Sequence, residues 1–224
     1  MNTHYNKDKN HFKLLLESLF YNKYFYIFYN LLFLILAVIT NDYQRVFFTA
    51  YFFILFSYFI HKWSHYVPIF NKIHLLHHTK KINKYIVCEI IELFFNLLFI
   101  GGGIVIPISL YFKKNFATPF NEYAILLYTL IYTLQHMVVY HLLKVPTHTR
   151  HHDADKSKNE DIDYNEKVYN FGPDSIDVLL GTKKNLQKFE NMDPLIPVII
   201  ILMIFLFYNY DSKYDIIKWL ESKI

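Results

Sequence analysis

The sequence predicts an all-α, polytopic membrane protein: four to five hydrophobic helices with a cytoplasmic, histidine-rich cap. Three observations predict it. Hydrophobic residues make up 54% of the 224 and aromatics 20%, a balance that suits lipid-facing surfaces and their interfaces. Five long apolar stretches have almost no charge along their middles. Eight of the twelve histidines fall in three tight clusters, and all three lie in lysine-rich segments on the same side of the predicted spans.

The apolar stretches are residues 24–40, 46–60, 86–112, 120–143 and 195–208. A bilayer core takes about 20 apolar residues per helix. The first and fourth fit that length. The second is short, but its helix can continue into His61-Lys62-Trp63-Ser64-His65. The third contains Gly101-Gly102-Gly103 and Pro107, where a kink or break is expected. The fifth is short enough either to span or to lie in the interface. Buried helices of a soluble α protein would be the alternative, and the charge-free middles disfavour it.

Three divisions follow: a polar N-terminal tail over 1–23, a membrane-embedded unit over 24–194, and a C-terminal hydrophobic helix with a short polar end over 195–224. The N-terminal segment lacks the pattern of a cleavable signal. Its His4 and His11 have no partner at ligand spacing and read as solvated bystanders.

Orientation follows from the basic residues. The links at 41–45 and 113–119 hold Arg45, Lys113 and Lys114, whereas the opposite side holds Lys7, Lys9, Lys13, Lys23, Lys62, Lys72, Lys80, Lys81, Lys84 and the run from 144 to 188. The positive-inside rule places the richer side in the cytoplasm. The net charge of +4 is not gathered into one basic stripe, so nucleic acid is not an indicated partner. A single cysteine, Cys88, excludes an internal disulfide and a cysteine-based metal site.

The histidines carry the chemistry. His61 and His65 form H-x-x-x-H; His74, His77 and His78 form H-x-x-H-H; His148, His151 and His152 repeat it. Positions i, i+3 and i+4 share one helix face, so each cluster can aim two or three imidazoles at one point. Imidazole suits iron, zinc and copper, and eight ligands are too many for one ion, so two metals are the natural count. The first cluster lacks the glutamate of H-E-x-x-H, which disfavours a zinc protease. Pro68 is expected to end the first histidine helix and Asn71 to cap the next. His136 and His141 lie on the fourth span, five residues apart, or about 140° of helix rotation. One of them is expected to bind metal and the other to support it, with His136, the deeper of the two in the helix, preferred.

The order of these motifs resembles that of the membrane-bound fatty acid hydroxylase/sterol desaturase superfamily. The likeness covers roughly residues 46–182 and extends to a tail pattern: Asn170-Phe171-Gly172 for N-Y-G, Asp177 for the aspartate of W-D, and Gly181-Thr182 for the end of F-G-T. Ile176 and Leu180 stand where that family has Trp and Phe, at positions that read as packing positions. Some members have a Gln-His pair like Gln135-His136, and carotenoid hydroxylases have a spacing like that of His136 and His141.

The resemblance implies a di-iron oxidoreductase, a monooxygenase of lipid metabolism in the endoplasmic reticulum. It would use O2 and two electrons to hydroxylate or desaturate a fatty acyl chain, sterol or carotenoid. Electrons would come from an external cytochrome b5-type donor with its NAD(P)H reductase. Glu89 and Glu92, one turn apart, read either as acceptors for metal-bound imidazole N–H groups or as an interfacial polar pair. Asp153 belongs to a solvated acidic run or hydrogen-bonds a ligand histidine, and Asn170 and Asp177 tie the cap together and orient ligands. The competing class is a non-catalytic membrane metal-binding or metal-transport protein. The apolar middles of the first, second and fifth spans offer no ligand path across a bilayer, which weighs against it.

Overall fold

The computed structural model describes residues 11–69, 71, 90, 94, 98, 103–115, 117–134, 172–183, 204, 205, 208, 210 and 215–224. Among the described residues every regular element is a helix. In chain order they are α1 (His11–Tyr21), α2 (Lys23–Thr40), α3 (Tyr43–Tyr66), α4 (Val105–Asn115), α5 (Glu122–Leu134), α6 (Asp174–Leu179) and α7 (Ile216–Glu221).

The frame is an antiparallel hairpin of α2 and α3. Its apolar runs contain no glycine or proline, so nothing interrupts either helix. At 18 and 24 residues they are about 27 and 36 Å long, and both are long and apolar enough to cross a membrane. α3 does continue through His61 and His65, as its sequence suggests. The turn between the two helices is two residues. Asn41 takes a left-handed conformation (φ 49°) that closes the end of α2. Asp42 then caps α3, accepting from the Arg45 N–H at 3.4 Å, and its carboxylate also pairs with the Arg45 guanidinium at 2.8 Å. Burial pushes the Asp42 carboxyl up, but hydrogen bonds from Asn121 and Arg45 outweigh it and hold it below the usual range.

α5 packs against both α2 and α3, and α4 packs on α5. The shared core is aromatic. Tyr29 and Phe33 rings lie 4.6 Å apart, and Phe53 and Tyr128 rings 5.6 Å. Their hydroxyls are satisfied inside the core: Tyr29 donates to the Ala50 carbonyl at 2.8 Å, and Tyr128 pairs with Ser57 at 2.5 Å. The outer faces are apolar too. Ile27, Leu31, Leu34 and Val38 form one exposed row along α2, and Tyr51, Phe52, Leu55 and Phe59 are exposed on α3. Such rows are costly in water and natural against lipid.

The break expected in the third apolar stretch falls at a turn over Gly103 and Ile104, after which α4 begins at Val105. Pro107 therefore sits in a first helical turn, where its missing N–H costs nothing. Two expectations change. Pro68 does follow the end of α3, but Asn71 is itself helical, its N–H donating to the Val67 carbonyl at 2.7 Å, so the helix after Val67 begins before it. Its side-chain amide donates back to the His65 carbonyl, and so closes the C-terminal end of α3. The segment read as a polar tail holds a helix, α1, whose Leu14 and Ser18 are buried and which packs on α6.

The two ends of the bundle have different partners. At the α2–α3 turn, Asn121 N–H donates to Thr49 at 2.9 Å, and the Asn121 amide to Asp42 at 2.9 Å. α7 is tied to the same end: Tyr123 donates to Asp215 at 2.5 Å, Lys113 meets Glu221 at 2.9 Å, and Lys114 donates to the Ile224 carbonyl at 3.0 Å. Residues 172–183 are instead held near the start of α2 and the histidine end of α3. The C-terminus and the histidine pair thus lie toward opposite ends of α3.

Candidate functional site

His61 and His65 lie one helical turn apart in the last turns of α3. Their rings are 5.4 Å apart at 31° to one another, and only 5% of His61 is exposed. That spacing brings two nitrogen donors to one side of the helix, and imidazole pairs of this kind suit iron or zinc. The residues present therefore fit part of a metal site.

Beneath them is the segment 172–183. It is short and highly cross-linked, and Asp177 is its hub. The Asp177 side chain is fully buried. One carboxylate oxygen accepts the Gly172 N–H at 3.0 Å, and the other accepts the Thr182 hydroxyl at 2.7 Å. The Asp177 carbonyl takes the N–H groups of Thr182 at 2.8 Å and Lys183 at 3.1 Å, closing the turn after α6. That turn passes through Gly181 at φ 73°, a conformation that favours glycine and explains the Gly-Thr pair. Burial raises the Asp177 carboxyl to about 7, although Lys183, the Gly172 N–H and the Thr182 hydroxyl all pull the other way. A second buried link crosses the segment: the Lys183 ammonium pairs with the Asp174 carboxylate, both almost wholly inside.

The segment is fastened to α2 and α3 at two points. Tyr58, one turn before His61 on α3, is fully buried, and its hydroxyl lies 3.2 Å from that of Thr182. Gly172 lies directly against Tyr58, and a side-chain carbon added there would approach the Tyr58 Cβ to 3.4 Å. On the other flank the Tyr26 hydroxyl of α2 hydrogen-bonds Ser175. Residues more than 110 positions apart in the chain thus meet beside His61.

Of the sequence-predicted site residues, His61, His65 and Asp177 are described, and all three belong to this end of the bundle. His74, His77, His78, His136, His141, His148, His151 and His152 lie outside the described residues, as do Glu89, Glu92, Asp153 and Asn170. Among the described residues, no three His, Cys, Asp or Glu side chains gather as a metal-holding group. Sequence reasoning missed Tyr58, Tyr26, Asp174 and Lys183. Tyr58 had a signal, since it precedes His61 by three positions on the same face, but nothing local marks the Lys183–Asp174 pair. No family model, no curated protein and no solved structure matches the chain.

Proposed function

We propose that this chain is a polytopic membrane oxidoreductase of four to five spans, using a di-iron centre and O2 to hydroxylate or desaturate a lipid: a fatty acyl chain, a sterol or a carotenoid. One observation carries the reading. Tyr58, one turn before His61 on α3, packs on Gly172 and hydrogen-bonds Thr182, so the Gly172–Asp177–Thr182 tail motif lies against the helix that carries the first histidine motif, although the two are more than 100 residues apart in sequence. Those are two of the pieces that the resemblance requires at a single site.

The full ligand set in this reading is His61, His65, His74, His77, His78, His148, His151, His152 and one of His136 and His141. Bound iron would supply the dioxygen activation needed to break an unactivated C–H bond, which acid–base groups alone cannot do. The chain's own residues then have separate tasks. The imidazoles hold the ions, Asp177 and its partners keep the cap folded against α3, and the apolar helices receive the lipid tail. Hydroxylation consumes one O2, two electrons and two protons, placing one oxygen in the product and the other in water. The electrons would come from a cytochrome b5-type protein and its NAD(P)H reductase, with the site facing the cytoplasm from the endoplasmic reticulum.

Topology is testable directly. Reporters inserted after Lys84 and after Lys188 should read cytoplasmic, while reporters at Lys114 and after Ile224 should read lumenal together. The last of these follows from the contact between Lys114 and the C-terminal residue. Opposite sides for Lys84 and Lys188 would separate the histidine motifs and end the single-site reading.

Activity is tested by supplying the reconstituted protein with iron, NADH, the donor pair and membrane lipid extract. Substrate-dependent O2 uptake with a product heavier by one oxygen, or lighter by two hydrogens, is the expected outcome. Metal movement across sealed vesicles without O2 uptake would establish the transporter class instead.

A further inference from the structure

We infer that Tyr58 is a positioning residue for His61, and that it acts through the Thr182 hydroxyl. The inference rests on the metal-site reading of His61 and His65. His61 lies five residues before the end of α3. A metal ligand must be held to within about 0.5 Å and 10–20° of its working geometry. Something must therefore fix the rotation of this turn about its own axis.

Tyr58 is placed to do so. It lies one turn below His61 on the same face, so any rotation of the helix moves both side chains together. Its ring is wholly buried and lies against the Gly172 backbone, close enough that a Cβ added there would come to 3.4 Å from the Tyr58 Cβ, ordinary van der Waals contact. Its hydroxyl meets Thr182 at 3.2 Å, and Thr182 is itself held by Asp177 at 2.7 Å. Asp177 in turn grips Gly172 at 3.0 Å, so the links run from Tyr58 back to Tyr58 through one closed ring of contacts. The ring of Tyr58 sets how close the segment approaches, and its hydroxyl sets the angle. The Lys62 ammonium lies 5.9 Å from the Tyr58 ring centre.

Tyr58→Phe keeps the packing and removes only the hydroxyl. Thr182→Val removes the partner, and Thr182→Ser retains it. Each full-length variant is stripped of metal and titrated with zinc against a competing chelator, with thermal melting of the metal-free protein measured in parallel. Tyr58→Phe and Thr182→Val should each weaken zinc retention roughly tenfold, the lower end for a residue supporting a ligand. The double variant should be no weaker than Thr182→Val alone, because Thr182→Val already removes the Thr182 partner of the Tyr58 hydroxyl, along with its bond to Asp177. Thr182→Ser should bind as the unaltered protein does. Unchanged affinity in Tyr58→Phe overturns the inference, and so does a loss matched by an equal fall in metal-free melting. Zinc that binds tightly to every variant overturns the inference but leaves the metal-site reading standing. An unaltered protein that retains no zinc overturns both.

Discussion

The His61→Ala variant is expected to lose bound metal and lipid oxidation together while keeping its fold. His61 is buried at the end of α3 and shares its face with His65. Truncating it removes one nitrogen donor and leaves its neighbour without the second imidazole of an i,i+4 pair. The core that holds α3 in place lies lower, at Phe53, Ala50 and Tyr128, and is untouched by the change. Circular dichroism and melting should therefore stay close to the unaltered protein, while elemental analysis shows metal falling below two ions per chain and oxidation stops. Full metal content in a folded His61→Ala protein would remove His61 from the site.

Lys183→Ala should produce the largest loss of stability. The Lys183–Asp174 pair is buried on both sides, and breaking such a pair by removing one partner costs about 3–5 kcal/mol, because the remaining charge stays out of water. The cost falls on residues 172–183, which should become sensitive to protease before α2 and α3 do. Replacing both residues by apolar ones of similar size, Asp174→Leu with Lys183→Met, should recover most of the loss, since a well-packed apolar pair rivals a buried ion pair. Limited proteolysis of the solubilised protein distinguishes the variants. Equal resistance in Lys183→Ala would mean that the pair contributes little.

What the sequence made legible follows the strength of each local signal. α2 and α3 were visible because an apolar run without helix breakers has few other solutions, and their two-residue link leaves only an antiparallel hairpin. The break before α4 was visible because three consecutive glycines precede it. α1 was hidden. It is short, its polar residues are mixed among its apolar ones, and its stability comes from packing on α6, a partner more than 150 residues away. Asn71 misled because an Asx residue suits a helix start, whereas here helix is already present from Pro68 and the Asn71 amide turns back to the His65 carbonyl.

The site shows the same division. The i,i+4 relation of His61 and His65 is a property of the helix itself and could be read directly. The tail motif was legible as a pattern, but the pattern does not say what Asp177 holds. Its role as acceptor for Gly172 and Thr182 depends on the Gly181 turn, and its nearness to Tyr58 on the packing of α6. Lys183 and Asp174 are invisible in sequence for a further reason: charged residues are ordinarily solvated, and nothing nearby signals that both are enclosed.

The measurement that bears most directly on the central claim is the metal content of the purified, unaltered protein. If the histidine motifs and the Asp177 segment form one centre, elemental analysis should find two ions per chain, iron in active preparations and zinc where overexpression outruns iron supply. One ion or none in well-folded protein would contradict it.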